Sequence, residues 1–452
     1  MDPGAVSTAP IVVNAPVDGW SLTLPPKMAK VLFSHLFGDG EEHGAVILAA
    51  EVQGPRGPRL LARHLVLAVD GVDYVEGTVG YRALTASFVR DNILRAGEEQ
   101  LAYLAVHNHG GHQSVRFSRT DLNSHERGYP ALRAITGHPV GAVVFAPAAA
   151  AGDLWLPSGD RAELAEVVIP GNNLVRLQPK PTKPATTDPA WDRQTRLFGD
   201  RGQQNLSRLR VAIVGAGGAG SLITEFVARM GVGSLVLVDP DHVDETNLPR
   251  LVGAERADVG QLKVDVAARN ATRANPRVVV ERHATNLHEQ PALGAVEKCD
   301  WIFLAADTNA ARHYTNKLVQ QQLIPATQVG VKVRVADGGG VGQVHAVTRL
   351  LLPGHGCLWC NQLINRTDLA IEMLPDAERR QAEYVPGVPA PSVMALNGLA
   401  AAEAANHFML ATACLHTSEE VVDLRYRPRA REHDVITPRQ SDRCDWCNPG
   451  PA

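Results

Sequence analysis

The chain has 452 residues, of which 45% are hydrophobic, 20% charged and 5% aromatic, with a formal net charge of -4. That length predicts two or three domains, and the apolar share excludes a disordered chain. The charge gives no general attraction to nucleic acid or membrane. The opening MDPGAVSTAPIVV lacks the basic and apolar regions of a signal peptide, and VGAVVFAPAAAAG, interrupted by Pro147, does not span a bilayer. A cytoplasmic protein is expected.

In chain order, GAVILAAEV, RHLVLAV and LAYLAVHNH read as short apolar strands, and ALTASFVRDNILRAGE has helical apolar spacing. On a strand ending LAVHNH, His107 and His109 are two apart and share a face. Ser118 and Asp121 are three apart and share a face of a helix. Two imidazoles and a carboxylate make three ligands and leave a fourth tetrahedral position for water, the arrangement of a catalytic zinc site. Ser-x-x-Asp is also a capping pattern, and Ser118 can cap a helix and still serve a site.

This stretch resembles the JAMM (MPN-type) metalloprotease family in its His-x-His, its gap of eight residues and its Ser-x-x-Asp, with an upstream glutamate in GDGEEHGAVILA. Gly110 stands where proline is common in that family. The resemblance implies a cytidine-deaminase-like α/β domain over residues 1–178, with zinc held by His107, His109 and Asp121. Glu42 would be the general base for the attacking water and Ser118 would hydrogen-bond the oxyanion. Glu41 is the alternative base; Glu42 puts Ala45 and Ala49 at the family's small-residue positions. The bond cut in this family is an isopeptide or peptide bond after a ubiquitin-like C-terminus.

PKPTKPATTDPA, residues 179–190, reads as a stiff extended linker. RVAIVGAGGAGSLITEFVARMGVGSLVLVDPD then gives strand, glycine turn, helix and strand, which predicts a Rossmann-like doubly wound sheet over residues 191–452. Gly215, Gly217, Gly218 and Gly220 let a phosphate approach the helix N-terminus, and Asp239 can hold ribose hydroxyls. Those features suit NAD and ATP alike. Downstream come Asp241, Asn247 and Arg250 in one loop, then Lys263, then a buried strand ending in Asp307 with Arg312 beyond it. Arg193 and Gln194 precede the first strand. Attack of a carboxylate on an α-phosphate gathers negative charge, which calls for arginine, lysine and magnesium together.

From about Trp191 to Cys447 this set resembles the ThiF/MoeB/ubiquitin-activating enzyme family. The resemblance implies ATP with Asp239 and Asp241 at its ribose, Asn247, Arg250 and Lys263 at its phosphates, and magnesium on Asp307. Arg193 would reach the nucleotide from a partner subunit, which implies a homodimer. The substrate implied is the C-terminal glycine of a ubiquitin-like or sulfur-carrier β-grasp protein.

GCLWC and RCDWC form two CxxC pairs separated by 83 residues, so Cys357, Cys360, Cys444 and Cys447 suit a tetrahedral structural zinc. Cys299 and Cys414 read as core thiols, and the loop where thioester-forming members carry a cysteine has none. Ser392, at the start of the next helix, is the best-placed hydroxyl to replace it, a plain N-cap being the alternative. Direct transfer of the acyl-adenylate is also open. Together these features predict a bifunctional enzyme of a bacterial ubiquitin-like modification pathway, with a conjugating-enzyme-like partner. The alternative is activation and processing of a sulfur carrier for cofactor or natural-product synthesis.

Overall fold

Alternation along one strand sets the layers of the N-terminal half. In β2 (Gly44–Gly54), Ala45, Ile47 and Ala49 pack with Leu32 and Leu36 of α1 (Pro26–Leu36), while Val46 and Leu48 pack with Phe88 and Ile93 of α2 (Ala86–Glu98). Burying each such leucine contributes about 1.5–3 kcal/mol. The computed structural model describes residues 13–75, 83–335, 340–375, 378–379 and 391–447. It divides into two units, Met1–Ala185 and Thr186–Ala452, with the division inside the Pro-rich stretch.

The first unit also contains β1 (Trp20–Thr23), β3 (Gly57–Leu67), β4 (Ala102–Asn108), α3 (Arg119–Thr136), β5 (Val140–Ala146), β6 (Ala149–Trp155), β7 (Arg161–Pro170) and β8 (Leu174–Leu177). The strands pair in the order β1-β3-β2-β4-β5-β6-β7-β8, and β1 also pairs with β7, closing the sheet. β4 lies between β2 and β5, with its C-terminal end beside the start of β2. The strand predicted through His109 ends at Asn108, yet the His109 amide still donates to Phe145 O at 2.9 Å.

The second unit runs α4 (Asp192–Arg208), β9 (Arg210–Val214), α5 (Gly218–Arg229), β10 (Ser234–Val238), α6 (Lys263–Ala274), β11 (Val279–His283), α7 (Ala292–Val296), β12 (Trp301–Leu304) and α8 (Asn309–Gln321). It continues through β13 (Ala326–Val335), β14 (Val341–Leu351), α9 (Arg366–Glu372), α10 (Met394–Thr412), β15 (Asp423–Arg427) and β16 (Glu432–Ile436). The sheet order is β11-β10-β9-β12-β13-β14-β15-β16, parallel as far as β13 and antiparallel beyond it. This is a mixed α/β unit with a Rossmann-type core. The winding reverses between β9 and β12, and such a reversal opens a ligand crevice at the strands' carboxyl ends.

Three expectations need correction. β12 ends at Leu304, so Asp307 lies in the loop before α8 rather than ending the strand. α10 begins at Met394 with Val393 as its N-cap, so Ser392 stands outside the helix and does not cap it. Cys414 is not a core thiol: it follows the helix in the left-handed region, with φ 52, and is partly exposed. Cys299 is a core thiol, pushed up to about 12 by burial. Among the described residues, no helix is long and apolar enough to cross a membrane.

Candidate functional sites

The first site forms where β4 runs out. His107 Nε2 lies 3.2 Å from His109 Nε2, and Asp121 Oδ2 lies 3.8 Å from the first and 3.5 Å from the second. Zinc–ligand bonds of about 2.0–2.1 Å put tetrahedral ligand atoms roughly 3.3 Å apart, so these spacings suit one ion. The other ring nitrogen of His109 faces Arg116 O at 3.0 Å, which fixes the tautomer that leaves Nε2 as an acceptor.

The capping reading of Ser-x-x-Asp holds, and the same Asp121 faces both histidines. Ser118 is the N-cap of α3: its Oγ accepts from the Asp121 amide at 3.2 Å, and Asp121 Oδ2 accepts from the Ser118 amide at 2.7 Å. Burial pushes the Asp121 carboxyl up, but hydrogen bonds from His107 and Ser118 outweigh it and hold the group well below the usual carboxylate range.

The glutamate arrives through a residue that the sequence reading did not single out. Asn108 Oδ1 accepts from the His43 amide at 2.7 Å, and Asn108 Nδ2 donates to Glu41 O at 3.1 Å. This clamp holds residues 41–43 against the end of β4. A carboxylate oxygen of Glu42 comes within 4.8 Å of ring nitrogens of His107 and His109, whereas the side chain of Glu41 is exposed. Glu42 precedes β2 rather than lying on it. The residue between two histidines was the available signal for Asn108.

The second site forms at the winding reversal. Gly215 has φ 93, and a Cβ there would meet the backbone nitrogen of Ala306 at 2.6 Å, so only glycine lets the turn after β9 pass the end of β12. Asp239 Oδ2 accepts from the Ala216 amide at 2.6 Å and its Oδ1 from the Asp241 amide at 2.9 Å. Burial raises its carboxyl above the ordinary value. Lys263 Nζ pairs with Asp241 Oδ2 at 2.7 Å. A Cβ on Gly218 would lie 2.2 Å from Asn397 Nδ2 and 3.6 Å from Arg250 Cδ, so two polar side chains converge on the N-terminus of α5. Asn247 is 4% exposed, and its buried Oδ1 has no hydrogen-bond partner among the described residues.

Cys357 Sγ lies 3.7 Å from Cys360 Sγ and 3.6 Å from Cys444 Sγ, and Cys360 Sγ lies 3.5 Å from Cys447 Sγ. Zinc–sulfur bonds of about 2.3 Å place tetrahedral sulfurs roughly 3.8 Å apart, so the four thiols fit a structural zinc. Hydrogen bonding with Cys447 lowers the Cys357 thiol below its ordinary value.

The ThiF family model matches residues 191–443, more than half of the chain. The chain belongs to the ThiF family. The chain is 36% identical over 114 residues to the adenylyltransferase and sulfurtransferase UBA4 of Candida albicans, covering 25% of this chain and 26% of the relative. It is 35% identical over 118 residues to the sulfur carrier protein adenylyltransferase of Thermus thermophilus, covering 26% of this chain and 44% of the relative. The chain thus spans less than half the length of these curated relatives. The crystal structure of Escherichia coli MccB with MccA-N7isoASN aligns at 21% identity and a TM-score of 0.47, over 58% of this chain and 75% of that one.

Within the ThiF unit, the remaining sequence-predicted residues stand apart from the glycine turn in different ways. Arg193 is exposed on α4, while Gln194 donates to Gln203 and to Met230 O, tying α4 to the turn after α5. Asp307 is exposed in the loop between β12 and α8. Arg312 Nη1 donates to Leu363 O at 3.1 Å, toward the CxxC loop. Ser392 Oγ accepts from Asn397 Nδ2 at 3.1 Å, which links it to Gly218 through one side chain. Asn397 was missed: a buried amide in an alanine-rich helix was its signal.

Proposed function

We propose that this chain adenylates the C-terminal carboxylate of a ubiquitin-like or sulfur-carrier β-grasp protein, and that its N-terminal unit hydrolyses an amide bond at the same kind of terminus. The observation that carries the first half is the ThiF unit over residues 191–443, in which Arg250, its Cδ 3.6 Å from the Cβ direction of Gly218, stands beside the glycine turn. Attack on the α-phosphate gathers negative charge, which the Arg250 guanidinium, on leaving Thr246 O, would offset.

In this reading Asp239 and Asp241 take the ribose, which releases Lys263 from Asp241 toward the phosphates beside Asn247 and Arg250. A carboxylate oxygen of the carrier attacks the α-phosphorus, the bond to the bridging oxygen breaks, and pyrophosphate leaves. Magnesium, held through Asp307, supplies charge neutralisation when bound. Arg193, exposed on α4, is available to a second subunit's nucleotide, which is the basis for a homodimer.

In the N-terminal unit, His107, His109 and Asp121 would hold zinc, which when bound acidifies a water. Glu42 would act as general base, taking a proton from an attacking water whose oxygen adds to the carbonyl carbon, and would return that proton to the leaving amine as the C–N bond breaks. Ser118 Oγ already accepts from the Asp121 amide, so its own proton can go to the oxyanion.

The relatives' names support sulfur-carrier activation over protein conjugation. Conjugation, with a conjugating-enzyme-like partner, is the second reading; an isopeptidase-like cluster in the same chain favours it. The test combines the full chain with a β-grasp carrier, its C-terminally extended precursor and ATP labelled at the α-phosphate. Label on the carrier's terminal carboxyl, and zinc-dependent shortening of the precursor that Glu42→Gln abolishes, are expected. Preference for a nicotinamide dinucleotide with no label transferred would refute the reading.

A further inference from the structure

We infer that Asn397, oriented by Ser392, is a phosphate-contacting residue of the nucleotide site; this rests on the adenylation reading. Asn397 stands in the first turn of α10 and is 5% exposed, followed along the helix by buried Ala400, Ala401, Ala404, Ala405 and Phe408. A primary amide in such surroundings costs free energy unless its donors are matched. One N–H of Nδ2 goes to Ser392 Oγ at 3.1 Å. An amide nitrogen carries a second.

That second donor is next to Gly218. The Asn397 nitrogen is nearer the Cβ direction of Gly218 than its carboxamide carbon is, at 2.2 Å against 3.2 Å, so no side chain fits at residue 218. Gly218 opens α5, where the first backbone amides have no partner within the helix and attract anions. Arg250 Cδ comes to 3.6 Å from the same point. Helix amides and a neutral carboxamide therefore lie side by side at the glycine turn, with the aliphatic stem of Arg250 beside them and its Nη1 donating to Thr246 O at 2.9 Å. The carboxamide adds a donor without adding charge, and a donor fixed in advance stabilises an oxyanion whose charge is redistributed during attack.

Ser392 is then a positioning residue. Its hydroxyl oxygen accepts from Asn397, a hydrogen bond that orients the carboxamide and lowers the nucleophilicity of the hydroxyl.

The test uses the full chain. ATP binding is measured by titration calorimetry, and ATP–pyrophosphate exchange with a β-grasp carrier gives kcat and KM, for wild type, Asn397→Ala, Asn397→Asp, Ser392→Ala and Ser392→Thr. Loss of a hydrogen bond to a charged group predicts that both Asn397 variants lower kcat/KM roughly tenfold to a hundredfold. Ser392→Ala is expected to lower it less, and Ser392→Thr to restore it. Asn397→Ala within twofold of wild type overturns the inference. If the Asn397 variants do not fold, exposed Ser392 decides: wild-type kcat and KM in Ser392→Ala overturn it, as does a hydroxylamine-labile carrier ester that Ser392→Ala abolishes. A wild type that binds no ATP refutes the adenylation reading itself and this inference with it, whereas failure of the inference alone leaves wild-type binding intact.

Discussion

Oδ2 of Asp121 accepts a 2.7 Å hydrogen bond from the Ser118 amide while lying 3.5 Å from His109 Nε2. One oxygen therefore closes a helix end and faces an imidazole, and the two roles separate by mutation. Asp121→Asn keeps an acceptor for the cap and removes the ligand charge, so elemental analysis should show zinc falling from about two ions per chain to about one. Ser118→Ala should cost about 1 kcal/mol of stability through the cap and leave zinc content unchanged.

Asn108 makes a kinetic prediction. Asn108→Ala removes the clamp on residues 41–43 without touching a proposed ligand. Zinc content should hold while kcat for precursor cleavage falls roughly tenfold or more, since misplacing a general base by about 1 Å is that costly.

Two glycines of one turn should respond differently. Gly215→Ala places a Cβ 2.6 Å from Ala306 N at φ 93, so urea unfolding should show a loss of about 2–4 kcal/mol. Gly217 has φ -76 with nothing within 4 Å of its Cβ direction. Gly217→Ala should fold normally and lose ATP affinity, because the space it fills is where phosphates approach.

Acid stability should depend on Asp258. The Arg269 guanidinium, with hydrogen bonds of 2.7 and 2.6 Å, holds its carboxyl down to about 2. A depressed carboxylate stabilises the fold above its unfolded value of about 3.9, and that stability is lost as pH falls toward 2. Urea unfolding at about pH 5 and about pH 2.5 should differ by roughly 1–2 kcal/mol more in wild type than in Asp258→Asn, allowing for solvent screening around the half-exposed arginine.

The legible parts of this chain were those set by local spacing. The glycine turn between β9 and α5 and both CxxC pairs follow from contiguous residues, and so did the histidine pair and the Ser118–Asp121 step. Element ends were not legible: β12 stops before Asp307 and α10 starts after Ser392, because neighbouring loops and caps decide where hydrogen-bonded turns end. Asn108 and Asn397 escaped for another reason. Their partners lie 65 and 67 residues away in the first case, and at Gly218 on a neighbouring helix in the second, where only the tertiary fold brings them together.

The most direct measurement is ATP–pyrophosphate exchange catalysed by the full chain with a β-grasp carrier ending in glycine. Adenylation predicts exchange that requires the carrier's terminal carboxylate, vanishes when that carboxylate is amidated, and falls sharply in Asp307→Ala. Exchange that is absent with every such carrier, or that proceeds unchanged with the amidated tail, would contradict it.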